Sequence, residues 1–210
     1  MLLLFEGCIT YTQKTEINTD GSGEISITYS ARKNNIILGK IDGFAFTERK
    51  ARANYESTNT DITELKVVEN TSDSTISVSV KLSFKDFNKL SLAKGFSKCK
   101  PSWQIHQDTI FFSFIVLPDS SVKEIPEIGG SLHFEYHFPT KIIQTNGKKD
   151  GKTVSWDFNI KDLSRQQELT AILYSKKSTC GIFGIELPLL LIGYIAVIFY
   201  RKKIRINPRY

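Results

Sequence analysis

Apolar and polar residues alternate with a period of two along most of the chain from residue 9 to residue 175, the spacing of strands that bury one face and wet the other. Residues 9–17 (ITYTQKTEI) and 24–29 (EISITY) flank Thr19-Asp20-Gly21-Ser22-Gly23. An Asp-Gly turn between two such runs predicts a hairpin, with Ile25, Ile27 and Tyr29 on its buried face. Residues 61–69 and 74–84 continue the pattern, and in the second Ile76, Val78, Val80, Leu82 and Phe84 share one side. Further strands are expected at 103–107, 109–117, 131–138, 141–145, 152–160 and 168–175, with the turn residues 146–151 (NGKKDG) joining two of them.

Two stretches break the alternation. Residues 46–56 (FTERKARANYE) read as a short helix capped by Thr47. Residues 85–96 (KDFNKLSLAKGF) read as a second, with Phe87, Leu90 and Lys94 along one stripe and Gly95 at its end. The order of strand pair, helix, strand pair, helix hints at a duplication, yet no residue pattern repeats. The fold class expected is α+β: a predominantly antiparallel β-sheet with about two short helices on one face, plus one C-terminal transmembrane helix.

That last element comes from residues 182–200 (IFGIELPLLLIGYIAVIFY), whose only charge is Glu186. As a helix they would extend about 28 Å, close to the hydrocarbon thickness of a bilayer. Arg201, Lys202, Lys203 and Arg205 follow at once, and an excess of cations marks the cytoplasmic side. Residues 9–178 are then an extracytoplasmic domain at the cell membrane and 201–210 a cytoplasmic tail. At the other end MLLLFEGC closes on Gly7-Cys8, which reads as the remnant of a signal peptide and lipobox over residues 1–8, with Cys8 the lipidated residue. A buried Cys on a first strand is the plainer alternative.

The charge changes the picture once it is placed. The chain carries +6 overall, but residues 201–210 hold five cations and no acid, so the rest carries +1. Phosphate recognition needs cations gathered on the fold, which removes nucleic acid from the expected partners. Three Cys with no C-x-x-C pair exclude a disulfide scaffold or zinc ribbon. If Cys8 is lipidated, Cys99 and Cys180 are left as thiols that could pair outside the cytoplasm.

His133, Glu135 and His137 lie at i, i+2 and i+4 of one strand and so emerge on one face, where two imidazoles and a carboxylate suit a metal ion. His106 is the candidate fourth ligand. The plainer reading makes Leu132, Phe134, Tyr136 and Phe138 the buried face and the three polar residues its wet side. No G-x-S-x-G, H-E-x-x-H, P-loop or G-x-G-x-x-G is present, so no enzyme class and no cofactor is indicated. Trp103 and Trp156 could line an apolar pocket, although a sheet packed on one face buries such rings in its core anyway.

Residues 138–175 (FPTKIIQTNGKKDGKTVSWDFNIKDLSRQQELTAILYS) add something that periodicity does not. Their Asn146-Gly147 turn, the V-x-W-x-F strand of Val154, Trp156 and Phe158, and Leu169-x-Ala171 resemble the LppM-like bacterial lipoproteins. Gly7-Cys8 followed by the hairpin with Asp20-Gly21-Ser22 is similar to that family's opening. The resemblance implies an α+β ectodomain outside the cytoplasmic membrane, lipid-attached at one end and spanned at the other, with no catalytic residues to carry over. The function expected is non-catalytic binding of an envelope protein, glycan or lipid beside the bilayer. The alternatives are a metal-dependent protein or enzyme centred on His133, Glu135 and His137, and an accessory subunit of a membrane complex.

Overall fold

The Asp-Gly turn folds as its chemistry requires. In the computed structural model, which describes residues 9–37, 44–118 and 130–175, β1 (Ile9–Ile17) and β2 (Gly23–Arg32) pair antiparallel around it. Gly21 takes φ +83°, a left-handed conformation that costs glycine least. The Asp20 carboxylate accepts hydrogen bonds from the Ser22 amide at 3.0 Å and hydroxyl at 2.7 Å. Ile25, Ile27 and Tyr29 are buried together, as the alternation requires.

The remaining elements are α1 (Lys33–Ile37), α2 (Glu48–Tyr55), β3 (Thr60–Asn70), β4 (Thr75–Phe84), β5 (Cys99–His106), β6 (Thr109–Val116), β7 (Gly130–His137), β8 (Ile142–Thr145), β9 (Lys148–Asp150), β10 (Thr153–Asn159) and β11 (Gln167–Tyr174). They form two sheets rather than one. A seven-stranded sheet runs β3-β4-β2-β1-β7-β10-β9, and a four-stranded sheet runs β5-β6-β11-β8. Pairing is antiparallel throughout except between β1 and β7, which run parallel.

The fold class expected from the sequence is corrected on its membrane element. The domain is mostly strand with few helices, which is α+β, but among the described residues no helix is long and apolar enough to cross a membrane. The longest, α2, has eight residues. The expected span at 182–200 and the cations Arg201, Lys202, Lys203 and Arg205 lie outside the described residues, as do residues 1–8 with Cys8.

Residues 85–96 are corrected as well. They wind as two 3-10 segments, Phe87–Leu92 and Lys94–Phe96, instead of an α-helix. Phe87, Leu90, Ala93 and Phe96 are all buried, a spacing of three that matches the three residues per turn of a 3-10 helix. A 3.6-residue period had put Lys94 on that stripe; the tighter winding leaves it exposed. Helix α2 forms where expected, and the Thr47 hydroxyl accepts from the Lys50 amide at 3.4 Å.

Tertiary packing centres on aromatic rings between the sheets. Phe112 of β6 meets Tyr136 and Phe138 at 4.8 and 5.0 Å, and Phe114 meets Phe134 at 6.2 Å. Phe87 sits among them, with ring centroids at 6.0 Å from Phe84, 5.4 Å from Phe112, 6.1 Å from Phe114 and 6.2 Å from Tyr136. Trp103 and Trp156 are 5% and 6% exposed, so both are core rings. Between buried Ile9 and Ile17 the inner face of β1 is polar: Tyr11 donates to Gln13 at 2.8 Å, and Gln13 donates to Thr15 at 3.2 Å and to the Tyr136 hydroxyl at 2.9 Å. Tyr11, Gln13, Thr15 and Tyr136 thus partner one another, so their desolvation is offset. Burial drives the Tyr11 and Tyr136 phenols well above their usual range.

Turn carboxylates give the domain a predictable response to acid. Hydrogen bonds from Ser22, side chain first, lower the Asp20 carboxyl, and the Thr75 hydroxyl lowers Asp73. Burial acts to raise Asp86, but the Asn88 amide and its neighbours outweigh it and leave that carboxyl lowered too. Folded values below unfolded ones give stabilisation that is full above the unfolded pKa of about 4 and lost as pH falls through the lower folded values. The melting temperature should therefore hold between about pH 7 and 5 and fall below about pH 4. The fall should be shallower in an Asp20→Asn, Asp73→Asn variant; an equally steep fall would assign the acid response to other groups.

Candidate functional site

The two sheets present outer faces of opposite character. On the seven-stranded sheet, β7 aims His133, Glu135 and His137 outward, as expected, with Leu132, Phe134, Tyr136 and Phe138 buried on the other side. Their neighbours take them up. His133 Nδ1 lies 2.6 Å from Asp157 Oδ1 and its Nε2 3.8 Å from Glu135 Oε2. Glu135 also pairs with Lys14 of β1 at 3.3 Å, and His137 Nδ1 is 3.1 Å from the Thr153 hydroxyl. Among the described residues no group of three or more His, Cys, Asp and Glu is arranged to hold a metal ion. His106 stands on β5 in the other sheet, where its ring meets Phe111 edge-on at 5.8 Å. The histidine row is a cross-strand lattice of ion pairs and hydrogen bonds on a wet face.

Cys99 opens β5 as a half-buried thiol without a disulfide partner among the described residues, pushed up to about 12 by burial. Its expected partner Cys180 lies outside the described residues.

The four-stranded sheet carries a groove of about 440 Å³ on its outer face, within the size range of small-molecule sites. Strand register builds it. One row runs Gln104, Phe111, Ile172, Gln144 across β5, β6, β11 and β8, and the next runs Ser102, Ser113, Thr170. Phe111 is 43% exposed although it sits on an inner strand of the sheet. Among the described residues the side chains of Gln104, Gln144, Ser102, Ser113 and Thr170 make no hydrogen bond within the domain. Among the described residues the lining contains no acid, no base, no His and no Cys.

One end of the groove is built by Thr145 and Asn146, and Gly147 follows where the chain leaves β8 in one sheet for β9 in the other. Asn146 Oδ1 accepts from Trp156 Nε1 at 2.8 Å and from the Thr170 amide at 2.9 Å, while its Nδ2 donates to the Glu168 carbonyl at 2.7 Å. Gly147 is held to glycine because a Cβ there would lie 2.5 Å from Trp156 Cε2 and from Val154 Cγ1. The Asn-Gly pair thus pins one sheet to the other beside the groove.

Sequence reasoning missed the groove. The signal was present in TIFFSFIVL: Phe112 and Phe114 take the inward parity, so Phe111 had to face out beside Ser113. An aromatic at outward parity within a central strand was the cue.

No family model matches the chain, and no curated protein does. Among solved structures, the NMR structure of the folded domain of LppM from Mycobacterium tuberculosis superposes with a TM-score of 0.51 at 16% identity, covering 85% of this chain and 97% of that one. An M1 zinc metallopeptidase from Deinococcus radiodurans aligns at 7% identity over 80% of this chain and 41% of that one, with a TM-score of 0.27. The first likeness speaks of fold, and it agrees with the residue-level resemblance in 138–175: the domain described here has an LppM-like fold.

Proposed function

We propose that this chain is a non-catalytic binding domain on the outer side of the cytoplasmic membrane, lipid-attached at Cys8, whose ligand surface is the open face of β5-β6-β11-β8. The observation that carries the binding role is the groove, in which unpartnered polar side chains surround an exposed aromatic ring. Among the described residues its lining has no titratable side chain to serve as general acid, general base or nucleophile, which supports binding without turnover. The outer location is supported by the LppM-like fold together with Gly7-Cys8 directly before β1. A lipid on Cys8 would hold the Ile9 end of the large sheet at the bilayer, since adjacent residues lie about 3.8 Å apart.

The location is tested by a Ser72→Cys variant in intact cells, because Ser72 is exposed in the turn between β3 and β4. A membrane-impermeant maleimide should label it without lysis, and mass analysis should find a diacylglyceryl adduct on Cys8. Labelling only after lysis, with an unmodified N-terminus, would contradict the reading.

A further inference from the structure

The reading of the groove as a binding surface leaves its ligand chemistry open, and the inference here rests on that reading. We propose that the groove binds an uncharged sugar ring, with Phe111 as the stacking platform and Gln104 and Gln144 as hydrogen-bonding arms.

The lining decides this by what it holds and what it lacks. A sugar presents an apolar face of C–H groups and a rim of hydroxyls, each both donor and acceptor. Phe111 and Ile172 supply the apolar floor. The amides of Gln104 and Gln144 each offer donors and an acceptor, and the hydroxyls of Ser102, Ser113 and Thr170 offer both, so either hydroxyl orientation finds a partner. Three strand spacings separate the two amides, about 14 Å, which leaves room for a ring over Phe111 between them. The edge-on ring of His106 at 5.8 Å limits Phe111 before any ligand arrives, which lowers the entropy lost on stacking.

Other ligand classes fit less well. Among the described lining residues a phosphate or carboxylate would meet no cation, and a cation would meet no carboxylate. An acyl chain would be surrounded by polar groups that lose water without gaining a partner. An added peptide strand needs a continuous edge of N–H and C=O groups, and Pro101 on the β5 edge has no N–H.

The test uses the full chain in a detergent without a sugar headgroup, with backbone amide shifts as the readout. Maltotriose, mannotriose and tri-N-acetylchitotriose are the uncharged probes and trigalacturonate the anionic one. At least one uncharged probe should shift the Phe111, Ser113 and Ile172 amides saturably, and trigalacturonate should not. Phe111→Ala should weaken that binding about tenfold and Gln104→Ala about fivefold, while Phe111→Trp holds it within about threefold. Melting curves of the three variants confirm that each is folded.

Failure of every uncharged probe, or undiminished affinity in Phe111→Ala, overturns the sugar assignment. If an envelope extract still shifts the same amides while the purified sugars do not, the sugar assignment falls and the binding face stands. If neither shifts them, both fall. If Phe111→Ala turns a dimer into a monomer, the face is a contact between copies of this chain and the proposal is wrong.

Discussion

Phe87→Ala should lower the unfolding free energy of the domain by about 3–5 kcal/mol, read from urea or thermal unfolding of the full chain. The ring is fully buried and lies within 5.4–6.2 Å, centroid to centroid, of Phe84 and Tyr136 on the larger sheet and of Phe112 and Phe114 on the smaller. Removing it leaves a cavity that three strands border, and neither sheet can close over it without shifting against the other. Its place is fixed by the backbone, since the Phe87 amide donates to the Gly21 carbonyl at 2.8 Å and Asp86 caps the 3-10 turn. Leu92→Ala, five residues on, is the control. Leu92 is 59% exposed, so that change should cost no more than about 0.5 kcal/mol. Equal costs at the two positions would show that the segment winds with a different register.

Asn146→Ala should cost about 2–4 kcal/mol, because three hydrogen bonds go at once and the Trp156 indole N–H is left buried without its acceptor. The loss should be coupled to Trp156. A Trp156→Phe background removes the stranded donor, so Asn146→Ala should cost at least about 0.5 kcal/mol less there. The Trp156 indole proton resonance should move in Asn146→Ala and stay in place in Asn146→Asp, which keeps an acceptor oxygen. Additive losses would mean that Asn146 acts on the backbone turn alone, without pinning the sheets together.

Strand positions were legible where one face is dry, because alternation reports burial residue by residue. Ile25, Ile27 and Tyr29, the row from Val78 to Phe84, and Leu132 to Phe138 all took the faces their parity assigns. Parity does not report which strands are neighbours. The parallel pairing of β1 with β7 joins residues about 120 positions apart, as in Gln13 with Phe134, and the division into two sheets is decided by such distant partners. On β3 the parity itself switches, from Ile62 to Leu65 and Val67, because a bulge inserts one residue between Ile62 and Glu64. Residues 85–96 failed for a different reason: apolar spacings of three and of 3.6 differ little over one turn, and the burial of Ala93 and Phe96 only becomes visible in the packing.

The candidate site divided along the same line. Alternation put His133, Glu135 and His137 on one face, yet a wet face and a ligand set have the same period, and it names none of the residues that pair with them, Asp157, Lys14 and Thr153. The groove needed the register of four strands from three parts of the chain before Gln104, Phe111, Ile172 and Gln144 could be seen as one row. The role of the Asn146-Gly147 pair was equally hidden, since a turn signal does not say that the chain changes sheets there.

The most direct test of the open face as the binding surface is an amide-shift map of the full chain with and without a soluble extract of the host's own envelope. The account predicts perturbations at Gln104, Phe111, Ser113, Ile172 and Gln144, with Thr12, Glu135 and Ser155 on the outer face of the larger sheet unmoved. Perturbations confined to that larger sheet, or none at either face, would contradict it.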